Sequence, residues 1–154
     1  MKQLNEIICD AGKSSSWLAY RKAAGQIREL LKSGAAKLQT SVKTAFLSSF
    51  TIDPLVDFAV VEAAAHSIEL QPYIAPYGQF NQELLNPQSE LYRVSPQIPF
   101  LLIEAESDAI DEQASRLGGL VDAFLKNSTG ILVINTFPAC PSWPLQVLPD
   151  QRRI

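Results

Sequence analysis

The sequence predicts an α/β fold: a three-layer sandwich around a mostly parallel sheet of about four strands, with an extra helix ahead of it. Three observations carry this prediction. Short apolar runs of strand length recur at 44–48, 68–74, 99–103 and 131–134. The segments between the first and last of them place apolar residues at helical spacing. Each run then empties into polar or helix-starting residues, the alternation of strand and crossover that a parallel sheet requires.

Residues 16–33 read as the leading helix, with Ser16 as its cap and Tyr20, Ala24, Ile27 and Leu31 on one face. Ser33-Gly34 stops it, and the small, polar residues 35–43 connect it to the first strand. Ala45-Phe46-Leu47 form the apolar body of that strand, which runs into Ser48, Ser49 and Thr51. Asp53-Pro54 then supplies an N-cap and the proline favoured at a first helical position. The helix extends to about His66, with Leu55, Phe58, Ala59, Val61 and Ala65 as its apolar surface.

Ile68 to Ile74 alternates apolar and polar residues, and Pro72 within it places the strand at a sheet edge. Ala75-Pro76-Tyr77-Gly78-Gln79 ends it; a short helix over 81–85 follows, and an irregular connector containing Leu91, Tyr92 and Val94 leads to Pro96. Pro99 to Ile103 is a continuous apolar run suited to a central parallel strand, emptying into Glu104-Ala105-Glu106-Ser107-Asp108. With Asp108 as cap, 110–126 reads as a helix whose apolar stripe is Ile110, Ala114, Leu117, Val121 and Phe124 or Leu125. Gly118-Gly119 inside it implies close approach to the sheet, because each glycine otherwise costs ~1 kcal/mol relative to alanine. Ile131 to Ile134 is the last strand, followed by Asn135-Thr136 and a tail with prolines at 138, 141, 144 and 149.

These elements divide the 154 residues into a helical extension (1–43), an α/β core (44–137) and a proline-rich tail (138–154) of one domain. The net charge of −3 and scattered basic residues exclude a phosphate-tracking stripe, so no nucleic-acid partner is expected. No apolar run approaches the ~20 residues that span a bilayer. Cys9 and Cys140 have neither disulfide-scaffold density nor metal-knuckle spacing, which predicts a cytoplasmic setting and no metal site. A glycine-rich phosphate loop and a nucleotide fingerprint are both absent, and no cofactor is expected.

Parallel strands bring their C-termini to one edge, where open α/β sheets bind ligands. That edge gathers Ser48, Ser49, Thr51 and Asp53; Tyr77, Gly78 and Gln79; Glu104 and Glu106; and Asn135. Ser48 and Ser49 are the candidate nucleophiles, although a serine in such a turn also serves simply to bond backbone amides. The lone histidine, His66, ends the crossover helix and so falls at the opposite edge of the sheet, out of reach as a base. Glu104 and Glu106 offer acid-base or metal-binding carboxylates, or merely complement the dipole of the next helix.

Leu47-Ser-Ser-Phe-Thr-Ile-Asp-Pro-Leu55, Tyr73-Ile-Ala-Pro-Tyr-Gly-Gln-Phe80, Gln82-Glu-Leu-Leu-Asn-Pro-Gln-Ser-Glu-Leu-Tyr92 and Asn135-Thr-Phe-Pro138 occur in that order. Together they resemble the N-terminal region of the FkbH-like proteins, a branch of the haloacid dehalogenase superfamily, over roughly residues 17–145. The resemblance implies an SGNH-hydrolase-like, flavodoxin-like α/β domain that precedes a dehalogenase-type phosphatase domain. It further implies a role in loading a glyceryl or acyl group onto an acyl carrier protein. The phosphatase motif DxDx(T/V) does not occur in these residues, so this chain alone is not expected to be a magnesium phosphatase. Ser48-Ser49-Phe50 stands where the SGNH pattern has Gly-Asp-Ser, Gly78 matches its glycine, Glu104-Ala105-Glu106 replaces Gly-x-Asn-Asp, and the DxxH is missing.

Two readings follow from the resemblance. In one, the domain binds an acyl or glyceryl group, or the acyl carrier protein presenting it, with acyl transfer through Ser48 or Ser49 and an oxyanion held by the 49–51 amides with Asn135 or Gln79. In the other, it is a non-catalytic module that docks a separate haloacid-dehalogenase-type phosphatase domain.

Overall fold

A computed structural model describes residues 2–14, 16–104 and 110–135 of the chain. Its elements are α1 (Lys2–Ser14), α2 (Trp17–Lys32), β1 (Thr40–Ser48), α3 (Asp53–Ala65), β2 (Ile68–Ile74), α4 (Phe80–Leu85), α5 (Glu90–Val94), β3 (Ile98–Leu102), α6 (Ile110–Asn127) and β4 (Val133–Ile134). The four strands form one all-parallel sheet in the order β2-β1-β3-β4. The chain steps from β1 to β2 through α3, then returns past β1 to β3 and on to β4. Right-handed crossovers in opposite directions must cover opposite faces. Accordingly α3 joins α1 and α2 on one face, and α4, α5 and α6 pack on the other.

Strand phase decides which side chains meet which layer. Phe46, Phe100 and Leu102 face α3, packing with Ile52 and Val56, and the Phe46 and Phe100 rings stack with centroids 5.1 Å apart. Ala45, Leu47, Leu101 and Ile103 face the other way, against Leu84, Leu91, Leu120 and Phe124. Thr44, fully buried, satisfies its hydroxyl by donating to the Ile98 carbonyl. Pro72 lies on the edge strand as expected. Ala75 N donates to Phe46 O, which directs the odd-numbered amides of β2 toward β1 and leaves Pro72 on the free side, where its missing donor costs nothing.

Several expectations change. The helix α1 went unpredicted, although Leu4, Ile8 and Ala11 carry a helical period; Leu4 and Ala11 are buried against α2 and α3. β1 begins at Thr40 rather than 44, because residues 40–43 pair with β2 from Ile68 onward. The presumed irregular connector contains α5, which seats Leu91 at zero exposure. β4 is shorter than the apolar run that suggested it.

Helix phases also differ. On α3 the buried residues are Val56, Asp57, Val60, Val61 and Ala64, while Leu55 and Ala65 are exposed. On α6 the buried stripe is Gln113, Leu120 and Phe124; Ala114 and Leu125 point outward. Gly118 and Gly119 do not approach the sheet: both are exposed, and a Cβ on either would meet nothing within 4 Å. The close approach is at Gly130, where a Cβ would lie 2.6 Å from the Pro96 carbonyl oxygen. Asp53 is the first residue of α3 rather than its cap, the N-cap position being Ile52. Ser16 occupies the N-cap of α2 without a side-chain cap bond.

Candidate functional site

The strand order reverses direction at β1, so the switch point of the sheet lies between β1 and β3, where a crevice opens beyond the strand C-termini. A cavity of about 170 Å³ occurs there. Ser49, Ile103 and Glu104 come from the strand ends, Phe80 from the start of α4, and Gln113, Arg116, Leu117 and Leu120 from α6. The lining is mixed: Ser49, Glu104, Gln113 and Arg116 are polar, Phe80, Ile103, Leu117 and Leu120 apolar.

The two candidate serines part company. Residues 46 and 48 share one phase of β1, and 47 and 49 the other, so Ser48 turns toward the α3 face while Ser49 turns toward the cleft. Ser48 is 5% exposed and donates its hydroxyl to the Phe50 carbonyl at 2.6 Å, a local turn bond. Ser49 instead accepts a bond from the Glu104 amide at 2.9 Å, while its own amide donates to Leu102 O at 3.0 Å. These two bonds tie the end of β1 to the end of β3. His66 is exposed at the C-cap of α3, beside Ser67, whose carbonyl receives the Gln39 and Thr40 amides at the start of β1. It therefore lies at the opposite end of β1 from the serines.

Asn135 reaches the same edge from β4. Its Oδ1 accepts from the Ile103 amide at 2.9 Å and its Nδ2 donates to the Ile103 carbonyl at 3.1 Å. Gln113 closes the far wall: it is buried, and its Nε2 donates to the Glu104 carbonyl at 2.7 Å. Glu104 itself is exposed, as is Arg116, which makes no ion pair among the described residues. Arg116 and Gln113 were not anticipated. The available signal was a polar Gln113 seven residues before Leu120, on what becomes an otherwise apolar stripe.

The remaining expected residues lie elsewhere. Tyr77, Gly78 and Gln79 form an exposed turn closed by Gln79 N donating to Pro76 O at 3.0 Å, with Gly78 at φ +69°. Thr51 and Asp53 line a different groove, on the α2 and α3 side. Glu106, Asp108, Cys140 and Trp143 lie outside the described residues. Among the described residues no three His, Cys, Asp or Glu side chains come together in a metal-binding group, and no helix is long and apolar enough to cross a membrane.

No family model and no curated protein matches the chain. Among solved structures, the chain is similar to the N-terminal part of the protein BF1531 from Bacteroides fragilis, described as containing a phosphatase domain and complexed with Mg. The TM-score is 0.59 at 16% identity, over 67% of this chain and 30% of that one. The likeness is one of fold, and this chain corresponds to less than a third of its neighbour.

Proposed function

We propose that this chain is a non-catalytic binding module that accompanies a haloacid-dehalogenase-type phosphatase domain. It binds, without transforming, the acyl or glyceryl group that an FkbH-type loading system handles, with the switch-point cleft taking the group, or it binds the acyl carrier protein that presents the group. One observation carries the non-catalytic part. Ser48 spends its hydroxyl on the Phe50 carbonyl and faces away from the cleft, Ser49 binds the Glu104 amide, and the only histidine lies at the opposite edge. A serine nucleophile needs a base within hydrogen-bond reach, and no imidazole is at hand. The phosphatase association is supported by the fold shared with part of a protein described as containing such a domain.

The test combines calorimetry with mass spectrometry. Titration with a purified haloacid-dehalogenase-type phosphatase domain encoded in the same reading frame or beside it is expected to give saturable association. Incubation with a glyceryl- or acyl-loaded carrier protein should leave the mass of this chain unchanged. A covalent increment mapped to Ser48 or Ser49 would establish acyl transfer instead, and absence of any heat with the phosphatase domain would remove the docking role.

A further inference from the structure

A second groove lies on the other side of the sheet from the switch-point cleft, between α2, the start of α3 and the free side of β2, with a volume of about 900 Å³. That size falls within the usual range of ligand sites. Its α2 wall is a single stripe, Trp17, Arg21, Gly25 and Arg28, spaced by four, four and three residues. Gly25 leaves the middle of this wall without a side chain, and a Cβ there would meet nothing within 4 Å.

The charges along the groove are unevenly settled. Arg28 is paired with the largely buried Asp57 at 3.3 Å, so these two neutralise one another. Arg21 has no carboxylate partner among the described residues; its guanidinium is held over the Trp17 ring, 5.4 Å from the centroid. Asp53, on the opposite wall, likewise has no cationic partner among the described residues. The groove thus presents one cation and one anion that form no ion pair with each other or with any other described residue. The same groove is lined by Leu70, Pro72 and Ile74 of an edge strand whose Leu70 and Ile74 backbone groups face outward, in the same phase as Pro72.

We propose that this groove binds a short zwitterionic peptide with apolar side chains, its terminal carboxylate on Arg21 and its terminal ammonium on Asp53. A ligand with one charge would satisfy only one wall and leave the other repelling or idle. A peptide supplies both charges at a separation, apolar side chains for Leu70 and Ile74, and backbone groups for the β2 edge. The site is independent of the switch-point cleft and of the function proposed for it.

The experiment uses the full chain carrying Trp143→Phe, so that Trp17 is the remaining tryptophan and its emission reports the groove. The probe is Ala-Leu-Ala with free termini, compared with its N-acetylated and C-amidated forms. Saturable emission change is expected with the free peptide, and each cap should weaken binding by about fivefold, the scale of one exposed ion pair. Arg21→Gln should weaken the free peptide similarly yet leave the C-amidated form unchanged, and Asp53→Asn should behave the same way toward the N-acetylated form. Gly25→Leu, which fills the groove while improving helix propensity, should abolish binding in a folded protein. No saturable response to the free peptide, capped peptides that bind equally well, or undiminished binding to the Gly25→Leu protein would each overturn the proposal.

Discussion

Asn135 and Ile103 exchange two hydrogen bonds, Ile103 N to Asn135 Oδ1 at 2.9 Å and Asn135 Nδ2 to Ile103 O at 3.1 Å. The β3–β4 register ends at Leu101 and Ile134, so this side-chain amide continues the pairing where the backbone of β4 no longer does. A residue expected to face a ligand is therefore also a staple of the sheet. Asn135→Ala should destabilise the chain by ~1–3 kcal/mol through the unmet Ile103 groups, and Asn135→Asp should also destabilise it, because a carboxylate still accepts from the Ile103 amide but cannot donate to the Ile103 carbonyl. Urea midpoints measure both. An unchanged midpoint for Asn135→Asp would show that the pairing adds nothing.

Ser48 and Ser49 should separate in the same assay for different reasons. Ser48→Ala loses a local turn bond worth ~1 kcal/mol. Ser49→Ala strips the Glu104 amide of its acceptor at the cleft, so it should also speed amide exchange at Glu104. If hydrogen exchange at Glu104 is equally slow in both variants, the tie between the β1 and β3 ends is not made by the Ser49 hydroxyl.

Three glycines make opposite predictions. Gly118→Ala and Gly119→Ala enter open space on an exposed helix surface and should each stabilise by ~1 kcal/mol. Gly130→Ala drives a methyl to 2.6 Å from the Pro96 carbonyl and 3.2 Å from that of Gln97, against backbone that cannot swing aside. It should lower the thermal midpoint. Stabilisation by Gly130→Ala would contradict this packing.

Phe124 is fully buried among Leu84, Leu91 and Leu120 on the α6 side of the sheet. Phe124→Ala should cost ~3–5 kcal/mol, whereas Leu125→Ala, one residue on and 63% exposed, should stay within ~0.5 kcal/mol. Similar losses for the two would place the α6 stripe in the wrong phase.

Burial, followed by the charge and hydrogen bond of Glu83 and the charge of Glu90, pushes the Tyr73 phenol from 10.0 up to about 12. The folded chain therefore keeps this proton after the unfolded chain has released it. The stability from Tyr73 is fully present below pH 10 and is lost as pH rises through about 12. Urea midpoints measured across that window should fall less steeply for Tyr73→Phe than for the parent. A parallel decline would assign the alkaline loss to other groups, among them Tyr92, which burial also raises.

The alternation of apolar runs and helical periods determined the α/β class, the parallel sheet and the order of its main elements, because these depend on local periodicity and on the handedness of crossovers. Pro72 marked an edge, and the place of His66 at the end of α3 set it apart from the serines. Tertiary structure alone decided which layer Ser48 and Ser49 each face, that Gln113 and Arg116 wall the cleft, and that Thr51 and Asp53 belong to another groove. A period reveals that one face of a strand or helix is buried. Which face, and against what, is set by contacts between residues far apart in the chain: Ser49 with Glu104, Ile103 with Asn135, Arg28 with Asp57.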